Sequence, residues 1–460
     1  MSPPADIQTN RVMACRLARR TSDDFSENYG DSALDSIAPF ESDEVQLGPR
    51  AVGSGSFASV YPIKGFNLRA NEPKKTVLGV SNGGNYTKEQ IQKREATDRS
   101  VQNGSQYVMK YLKDELEDEN ALFLESAQDI VSEAEMLAAF CHPNIIQLHG
   151  IIADRYDSFA EGPSAFFLVL ERLESTLDVK IEEWKKQNSR SIKSLRGSIT
   201  LKSSITTSMV GPHDKGKMDK STPGEGGSLD SRLRMAASLA SAVKYLHSKG
   251  VIFRDLKPEN VGVDRQGNVK LFDFGLAKFM PQHGDPYKDV YEMCWAGTPR
   301  FSAPEIVFKE PYNLKADVYS FSVILWEMLG LKQPFLKCKK RKDFEESLSK
   351  LDKILTIDRQ WPVPIQDIIK RGLSKDLSGR PTMKEVHYTL DEFLTNGSED
   401  SDEEEKKTTR RRRGSGFSLG ESMRKLSFVS NSSRRQSDDC SGSSDFDFDD
   451  LIEGGGLKEQ

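Results

Sequence analysis

Cysteine is scarce in this chain, and no apolar run is long enough to span a membrane. The five cysteines among 460 residues are scattered and odd in number, at positions 15, 141, 294, 338 and 440. Because no spacing among them resembles a zinc site or a disulfide framework, we expect a reduced, cytoplasmic compartment. The apolar run Val323–Leu331 is interrupted by Glu327, which predicts a buried helix and no membrane span.

Large apolar residues are also scarce at both ends of the chain, which predicts a disordered arm over 1–43 and a disordered tail over 396–460. The arginines of the first 20 residues faintly resemble a transit peptide, but Pro3-Pro4 and the lack of a clear apolar face favour an arm. In the tail, an acidic block is followed by the basic block Lys406–Arg413, with nuclear import as an alternative function. No aromatic residues interleave these charges, so nucleic-acid binding is not predicted.

Between the two ends, strand patterns come first and helix patterns follow. This order predicts a small sheet-rich lobe before a larger helical lobe. The polar stretches at about 65–105 and 189–228 show no lasting periodicity and are predicted to be inserted surface loops. The predicted strands are Phe57–Ile63, Tyr107–Lys110 and Phe166–Leu170. The predicted helices are Ala121–Phe140, Asp230–Lys249, Ala316–Leu329, Phe344–Leu355, Pro364–Arg371 and Thr382–Leu394.

A glycine-rich stretch, Gly53–Val60, precedes a candidate nucleotide-binding lysine. Its glycines allow a backbone turn to close over phosphates, although Gly-Ser clusters are also common in plain hairpins. Lys110 ends a predicted strand, where its ammonium group can pair with phosphate oxygens if a carboxylate fixes its position. Glu133 is the preferred partner, while Glu135 lies two residues on and therefore on a different helical face. The alternative is that all three are solvated surface charges.

Two further motifs carry the residue types that phosphoryl transfer requires. They are FRDLKPEN at Phe253–Asn260 and FDFG at Phe272–Gly275. The reaction needs a carboxylate to orient the attacking hydroxyl, a cation near the moving phosphate, and oxygen ligands for Mg²⁺. These groups occur in the order Asp255, Lys257, Asn260 and Asp273.

With these motifs, the chain resembles the eukaryotic protein kinase superfamily over about 350 residues. The resemblance implies an α+β, bilobal protein kinase fold, with a small β-rich N-lobe containing one main helix and a larger, mainly α-helical C-lobe. The kinase domain would span 44–395, with the N-lobe at 44–170, the hinge at 171–175 and the C-lobe at 176–395.

The resemblance also implies a role for each matched residue. Asp255 would be the catalytic base, Lys257 would stabilise charge on the γ-phosphate, and Lys110 and Glu133 would form the ion pair of the active state. Asn260 and Asp273 would hold Mg²⁺, with Mn²⁺ as an alternative. Asp317 and Arg380 would be structural supports, the latter by pairing with Glu305. The residues implied to bind ATP are Gly53, Ser54, Gly55, Ser56, Phe57, Ala58, Val60, Val108, Lys110, Leu170, Glu171 and Leu173.

Two features imply that the substrates are proteins phosphorylated on serine or threonine. In this family Lys257 goes with that specificity, as does Gly297-Thr298-Pro299-Arg300, whose threonine would bridge Asp255 and Lys257. Dual specificity is an alternative. The stretch Asp317–Leu329 resembles tyrosine-kinase-like serine/threonine kinases. A scaffolding pseudokinase and a small-molecule kinase are the competing hypotheses.

The chain departs from the family pattern at two informative places. Gly262 stands where a larger apolar residue usually forms the floor of the adenine pocket, which predicts weaker ATP binding. No serine or threonine lies between Gly275 and Gly297, and Cys294 occupies the usual phosphorylation position. We therefore hypothesise that the usual threonine switch is missing. Negative charge for Arg254 would come from the acidic residues of this segment, with Asp285, Asp289 and Glu292 as candidates.

Both ends of the chain repeat a motif of two basic residues, a spacer and a serine. A motif of this kind suits recognition by an upstream basophilic kinase, and a phosphate on the serine would reverse the local charge. The alternative is a solvated, low-complexity segment without this role. The candidate sites are Ser22, Ser415, Ser427 and Ser437.

Overall fold

The computed structural model describes residues 5–30, 33–69, 86–104, 106–202, 227–281, 283–294, 296–338, 341–348 and 350–410. Ser415, Ser427 and Ser437 therefore lie outside the described residues. The helices are α1 Ala5–Tyr29, α2 Lys88–Gln102, α3 Asn120–Ala139, α4 Leu177–Lys202, α5 Leu229–Ser248, α6 Pro304–Val307, α7 Lys315–Gly330, α8 Arg341–Leu348, α9 Leu351–Ile354, α10 Val363–Gly372 and α11 Met383–Arg410. The strands are β1 Ala38–Phe40, β2 Val45–Leu47, β3 Gly53–Ser54, β4 Ala58–Phe66, β5 Tyr107–Leu112, β6 Leu148–Ile152, β7 Phe167–Glu171, β8 Ser175–Thr176, β9 Val251–Ile252, β10 Val261–Val263, β11 Val269–Leu271 and β12 Lys278–Phe279.

The chain divides into two compact units. The first comprises Met1–Glu174 with Gly262–Ala277, and the second comprises Ser175–Val261 with Lys278–Gln460. The main sheet lies in the first unit, whereas helices dominate the second. Among the helices described, none has an apolar stretch long enough to cross a membrane.

The sheet of the first unit has seven strands in the order β1-β6-β7-β5-β4-β2, and β3 pairs with β4. The three predicted strands are confirmed as β4, β5 and β7, and each differs from its predicted bounds by one to three residues at one end or at both. In the antiparallel register of this sheet, Val60 lies opposite Lys110 and Val108 lies opposite Leu170. The apolar run Phe167–Leu170 is buried because it occupies a central strand that is covered on both faces.

The N-terminal segment differs from the disordered arm that the sequence predicted. It forms α1, which packs against α3, and it continues into β1, which pairs in parallel with β6. Ala14, Ala18 and Phe25 of α1 are buried. The pattern was missed because the buried face of α1 consists mainly of small side chains, which contribute little to an apolar periodicity.

The first predicted insert is also more ordered than a surface loop. Its residues 65–66 belong to β4, and α2 begins after Thr87, whose hydroxyl accepts a hydrogen bond from the backbone N–H of Gln90 at 3.1 Å. Arg94 of α2 forms a buried ion pair with Glu44 at 2.6 Å. This contact holds α2 against the start of the sheet, although the polar composition of the helix predicts a solvated segment.

In the second unit, α5, α7, α10 and α11 correspond to predicted helices, but α11 continues past Leu394 to Arg410, so the first part of the predicted disordered tail is helical. Helix α5 packs against α11, and α7 packs against α10. The single helix predicted over Phe344–Leu355 is wrong, because α8 ends at Leu348 and α9 begins at Leu351. The second predicted insert begins as helix rather than loop, since α4 continues to Lys202.

Candidate active site

In the first unit, β5, α3 and the segment after β11 bring three charged side chains together. The ammonium group of Lys110 lies 2.6 Å from Oε2 of Glu133 and 3.1 Å from Oδ1 of Asp273. Burial alone lowers the pKa of Lys110, but the carboxylates of Asp273 and Glu133 outweigh it, so that its pKa is raised. The lysine is therefore positively charged throughout the physiological pH range, as phosphate binding requires.

The choice between the two glutamates of α3 is resolved by their different helical faces. Glu133 points to Lys110, whereas Glu135 accepts a hydrogen bond from the hydroxyl of Ser22 on α1. Two residues correspond to about 200° of helical rotation, so one helix directs the two carboxylates to different partners.

Asp273 has a backbone φ of +66°, which is uncommon for a residue with a side chain. The segment before it is fixed because the Leu271 N–H donates to the Asn144 carbonyl at 2.8 Å. Strained backbone of this kind clusters at functional sites, and here it accompanies the contact with Lys110.

The remaining predicted nucleotide-binding residues of the first unit lie on neighbouring strands. The hairpin formed by β3 and β4 closes with a hydrogen bond from the Gly55 N–H to the Ala58 carbonyl at 2.9 Å. Ser54 and Ser56 are exposed on this hairpin, and Phe57 is partly buried. At the end of β7, the Glu171 N–H donates to the Gln147 carbonyl at 3.3 Å. The backbone N–H of Glu171 is therefore already hydrogen-bonded to another part of the first unit.

The space beside Gly262 is occupied by the side chain of Leu173. A Cβ atom built on Gly262 would lie 2.2 Å from Cδ1 of Leu173, which is too close for any real contact. Leu173 therefore fills the space beside Gly262, and a side chain at position 262 would require Leu173 to shift.

In the second unit, Asp255 is surrounded by groups that fix its carboxylate. The ammonium group of Lys257 lies 2.7 Å from Oδ2 of Asp255. Oδ1 of Asp255 accepts hydrogen bonds from the backbone N–H of Thr298 at 2.9 Å and from its hydroxyl at 2.8 Å. Lys257 also donates to the Thr298 hydroxyl at 3.0 Å. The structure therefore places Thr298 between Asp255 and Lys257.

Asn260 is held in the same loop by its amide nitrogen. Nδ2 donates to both the carbonyl and Oδ2 of Asp255, at 2.9 Å each. Its Oδ1 is therefore the atom that the Asn260 side chain has left to offer as a ligand.

The buried Asp317 of α7 holds the backbone of the loop that contains Asp255. Oδ2 of Asp317 accepts the backbone N–H of Phe253 at 2.8 Å, and its Oδ1 accepts that of Arg254 at 2.9 Å. His247 of α5 lies 2.9 Å from the same carboxylate and 3.0 Å from the hydroxyl of Tyr287. Sequence reasoning missed His247, because a histidine on a helix gives no local signal of its partners.

Arg254 also has a positive φ, +68°, and its side chain hydrogen-bonds to the hydroxyl of Tyr312. The Tyr312 hydroxyl in turn donates to the carbonyl oxygen of Cys294 at 3.0 Å. Burial raises the pKa of Tyr312, so this hydroxyl stays protonated. Tyr312 thus connects Arg254 to the residue at the usual phosphorylation position, a connection that the sequence did not predict.

The predicted support at Arg380 is a buried, two-pronged ion pair. Its Nη1 and Nη2 atoms lie 2.5 Å and 2.8 Å from the two carboxylate oxygens of Glu305. Its Nε donates to the Ser374 carbonyl at 2.7 Å. The pair joins α6 to the loop before α11 within the second unit.

Comparisons with known proteins agree with these motifs. Residues 215–389 match the family model described as "Protein kinase domain". The chain is 38% identical over 193 residues to cAMP-dependent protein kinase type 3 of Saccharomyces cerevisiae, covering 38% of this chain and 42% of the relative. It is 32% identical over 159 residues to serine/threonine-protein kinase Sgk1 of Rattus norvegicus, covering 34% of this chain and 36% of the relative. It is 31% identical over 169 residues to dual specificity protein kinase shkC of Dictyostelium discoideum, covering 36% of this chain and 33% of the relative.

The protein kinase domain matched over residues 215–389 and the serine/threonine kinases among these relatives support the predicted family, the eukaryotic protein kinases of serine/threonine type. The matched region spans less than half the length of each of these relatives.

Proposed function

We propose that this chain is an ATP-dependent protein kinase that transfers the γ-phosphate of ATP to serine or threonine hydroxyls of protein substrates. The observation that carries the proposal is the position of Asp255, whose carboxylate is bonded to both Lys257 and Thr298. A carboxylate fixed in this way can orient a substrate hydroxyl and accept its proton. Lys257 supplies the positive charge that the moving phosphoryl group requires.

The nucleotide and its metal are assigned to side chains that have the required chemistry. Lys110 is held as a cation by Glu133 and Asp273 and would contact phosphate oxygens. Asp273 of the first unit offers a carboxylate and Asn260 of the second unit offers an amide oxygen, and each is a hard oxygen ligand of the kind that Mg²⁺ prefers. When bound, Mg²⁺ neutralises phosphate charge. Mn²⁺, which also accepts oxygen ligands, is the alternative ion.

We assign the two compact units to the two lobes of a bilobal kinase, with the hinge at 171–175 and the predicted kinase domain over 44–395 extended at its start by α1 and β1, which pack into the first unit. The sheet of the first unit carries Lys110, and the helices of the second unit support the loop that contains Asp255. These features support the assignment, and limited proteolysis that releases a stable fragment with these limits would test it.

The acceptor class is proposed from Thr298, whose hydroxyl contacts both Asp255 and Lys257. Upstream control by a basophilic kinase acting on Ser22, Ser415, Ser427 and Ser437 also remains a proposal, supported by the repeated basic motif.

The test is a transfer assay with γ-labelled ATP, Mg²⁺ and a generic protein substrate. Wild type is compared with Asp255→Asn and with Asp367→Asn, which removes an exposed carboxylate of α10 as the matched control. We expect Asp255→Asn to reduce transfer by about 10²–10⁴-fold, the usual contribution of a positioned acid or base, while ATP binding is retained. The control should keep wild-type activity. Phosphoamino acid analysis should find label on serine and threonine.

Equal activity of wild type and Asp255→Asn would reject the assigned base. ATP binding without transfer by either protein would favour a scaffold, and label on tyrosine would favour dual specificity.

A further inference from the structure

Helix α1 packs on α3 through a face of small residues. Ala14 and Ala18 are fully buried, and Ser22 is only 6% exposed. Their four-residue spacing places them on one side of the helix. Beside this contact, Arg11 of α1 pairs at 2.5 Å with Glu117, which lies just before α3. The helix is therefore held by close packing and by polar contacts that tolerate little added volume.

The polar centre of the contact is a cluster formed by Ser22, Glu135 and Tyr156. Ser22 donates to Oε1 of Glu135, and the Tyr156 hydroxyl lies 2.6 Å from the Ser22 oxygen and 2.9 Å from the Glu135 oxygen. Glu135 is fully buried. Burial raises the pKa of Tyr156, which keeps its hydroxyl protonated as a donor. The cluster thus places the Ser22 hydroxyl against a buried carboxylate.

The same serine ends a sequence that a basophilic kinase recognises, Arg19-Arg20-Thr21-Ser22. In the packed helix Arg19 is paired with Asp157, so one of the two recognition charges is already occupied. A modifying kinase can therefore act only on the population in which α1 has left α3.

We propose that Ser22 is a phosphorylation site and that its phosphate prevents α1 from returning to α3. In the transfer, the Ser22 oxygen attacks the γ-phosphorus of ATP bound to a basophilic kinase. The bond from that phosphorus to the β,γ-bridging oxygen breaks, ADP leaves with the electron pair, and the hydroxyl proton passes to the base of the modifying kinase. A phosphate carries nearly two negative charges, which would be buried beside the carboxylate of Glu135. Both repulsion and desolvation therefore oppose packing of the modified helix.

Release of α1 has a consequence for the site in the first unit. Glu135 lies two residues from Glu133 on α3, and Glu133 holds Lys110. Losing α1 removes contacts that fix α3, so we expect slower phosphate transfer. This consequence, unlike the packing itself, rests on the proposed kinase function.

The packing is tested by backbone hydrogen exchange on the full chain, with Ser22→Glu compared with Ser26→Glu. Ser26 is half-buried one turn further along α1, so this control adds the same charge outside the cluster. We expect exchange in α1 to be about tenfold faster or more in Ser22→Glu, because a buried extra charge strongly disfavours packing. Helix α7 should keep wild-type protection as the internal reference. Ser22→Ala, which only removes a hydroxyl, should remain packed.

Wild-type protection of α1 in Ser22→Glu, or equal loss in Ser26→Glu, would overturn the proposal. Modification itself is tested on the Asp255→Asn chain with an added basophilic kinase and mapping by mass spectrometry. Phosphate on Ser22 with faster exchange in α1 supports the proposal, and a map that lacks Ser22 overturns it. The exchange experiment requires no activity of this chain, so failure of the proposed kinase function would be seen separately, as absence of transfer by wild type.

Discussion

Replacing Arg380 with alanine should strongly destabilise the second unit. The Arg380 side chain is fully buried, and its partner Glu305 is 6% exposed. Removing the guanidinium group leaves the carboxylate of Glu305 buried without its cation, a change that costs about 3–5 kcal/mol in comparable cases. The guanidinium carbon also lies 5.1 Å from the centre of the Tyr319 ring, so the packing contact is lost as well. We expect the free energy of unfolding to fall by at least about 3 kcal/mol.

Urea unfolding followed by tryptophan fluorescence measures this loss. The tryptophans among the described residues, at positions 184, 326 and 361, all belong to the second unit, so their signal reports on the unit that contains Arg380. Arg371→Ala is the matched control, since its side chain is 47% exposed and lies 3.6 Å from Asp367. An exposed pair of this kind contributes about 0–1 kcal/mol, so the control should unfold almost as wild type does.

A double replacement separates the unpaired charge from the lost packing. Arg380→Met combined with Glu305→Leu removes both charges and keeps apolar volume, which is often neutral for a buried ion pair. The double variant should therefore recover much of the stability lost in Arg380→Ala. A loss below about 1 kcal/mol in Arg380→Ala would refute the inference that Glu305 depends on this partner for its burial.

Three further predictions follow from buried groups. Burial raises the pKa of Glu327 to about 7, so its contribution to stability is fully present below the unfolded pKa of 4.5 and is lost as the pH rises through about 7. Glu327→Gln should therefore remove about 2.5 kcal/mol of the difference in unfolding free energy between pH 5 and pH 8, measured by urea titration, and an unchanged difference would contradict this prediction. Gly262→Ala should lower the free energy of unfolding by about 1–3 kcal/mol through the clash with Leu173. Adding Leu173→Ala should recover most of this loss in thermal unfolding, whereas additive losses from the two replacements would reject the clash. Tyr312→Phe should speed hydrogen exchange around Cys294 about tenfold, because it removes the hydroxyl that bonds to that carbonyl, and wild-type protection would exclude this support.

The residues of the candidate site could be predicted from sequence where one short stretch carries the chemistry. Asp255, Lys257 and Asn260 lie within six consecutive residues, so their proximity is fixed by a single loop. Helical geometry also predicted that Glu133 and Glu135 lie on different faces of one helix, while the preference for Glu133 came from its spacing to Cys141-His142-Pro143-Asn144. In both cases the prediction used residues that are close together in the chain.

Contacts between distant segments could not be predicted in this way. The buried face of α1 consists of Ala14, Ala18, Ser22 and Phe25. Its apolar pattern is weak in the sequence, and only the packing against α3 identifies it as a buried face. Likewise, the sequence shows Arg94 only as a charged residue in a polar stretch, whereas the structure shows that Glu44 and the carbonyl of Pro39 accept its hydrogen bonds. A buried cation with its partner about 50 residues away leaves no periodic pattern in the sequence.

The lack of serine and threonine between Gly275 and Gly297 acquires a physical explanation from Tyr312. Where a phosphate would pair with Arg254, a neutral hydroxyl accepts from that arginine and donates to the Cys294 carbonyl. Because burial keeps this hydroxyl protonated, the connection between Arg254 and the Cys294 carbonyl requires no phosphate. The control by serine phosphorylation that we propose therefore acts outside this segment. Ser22, which touches α3 two residues from Glu133 in the numbering of that helix, is a described serine placed to exert it.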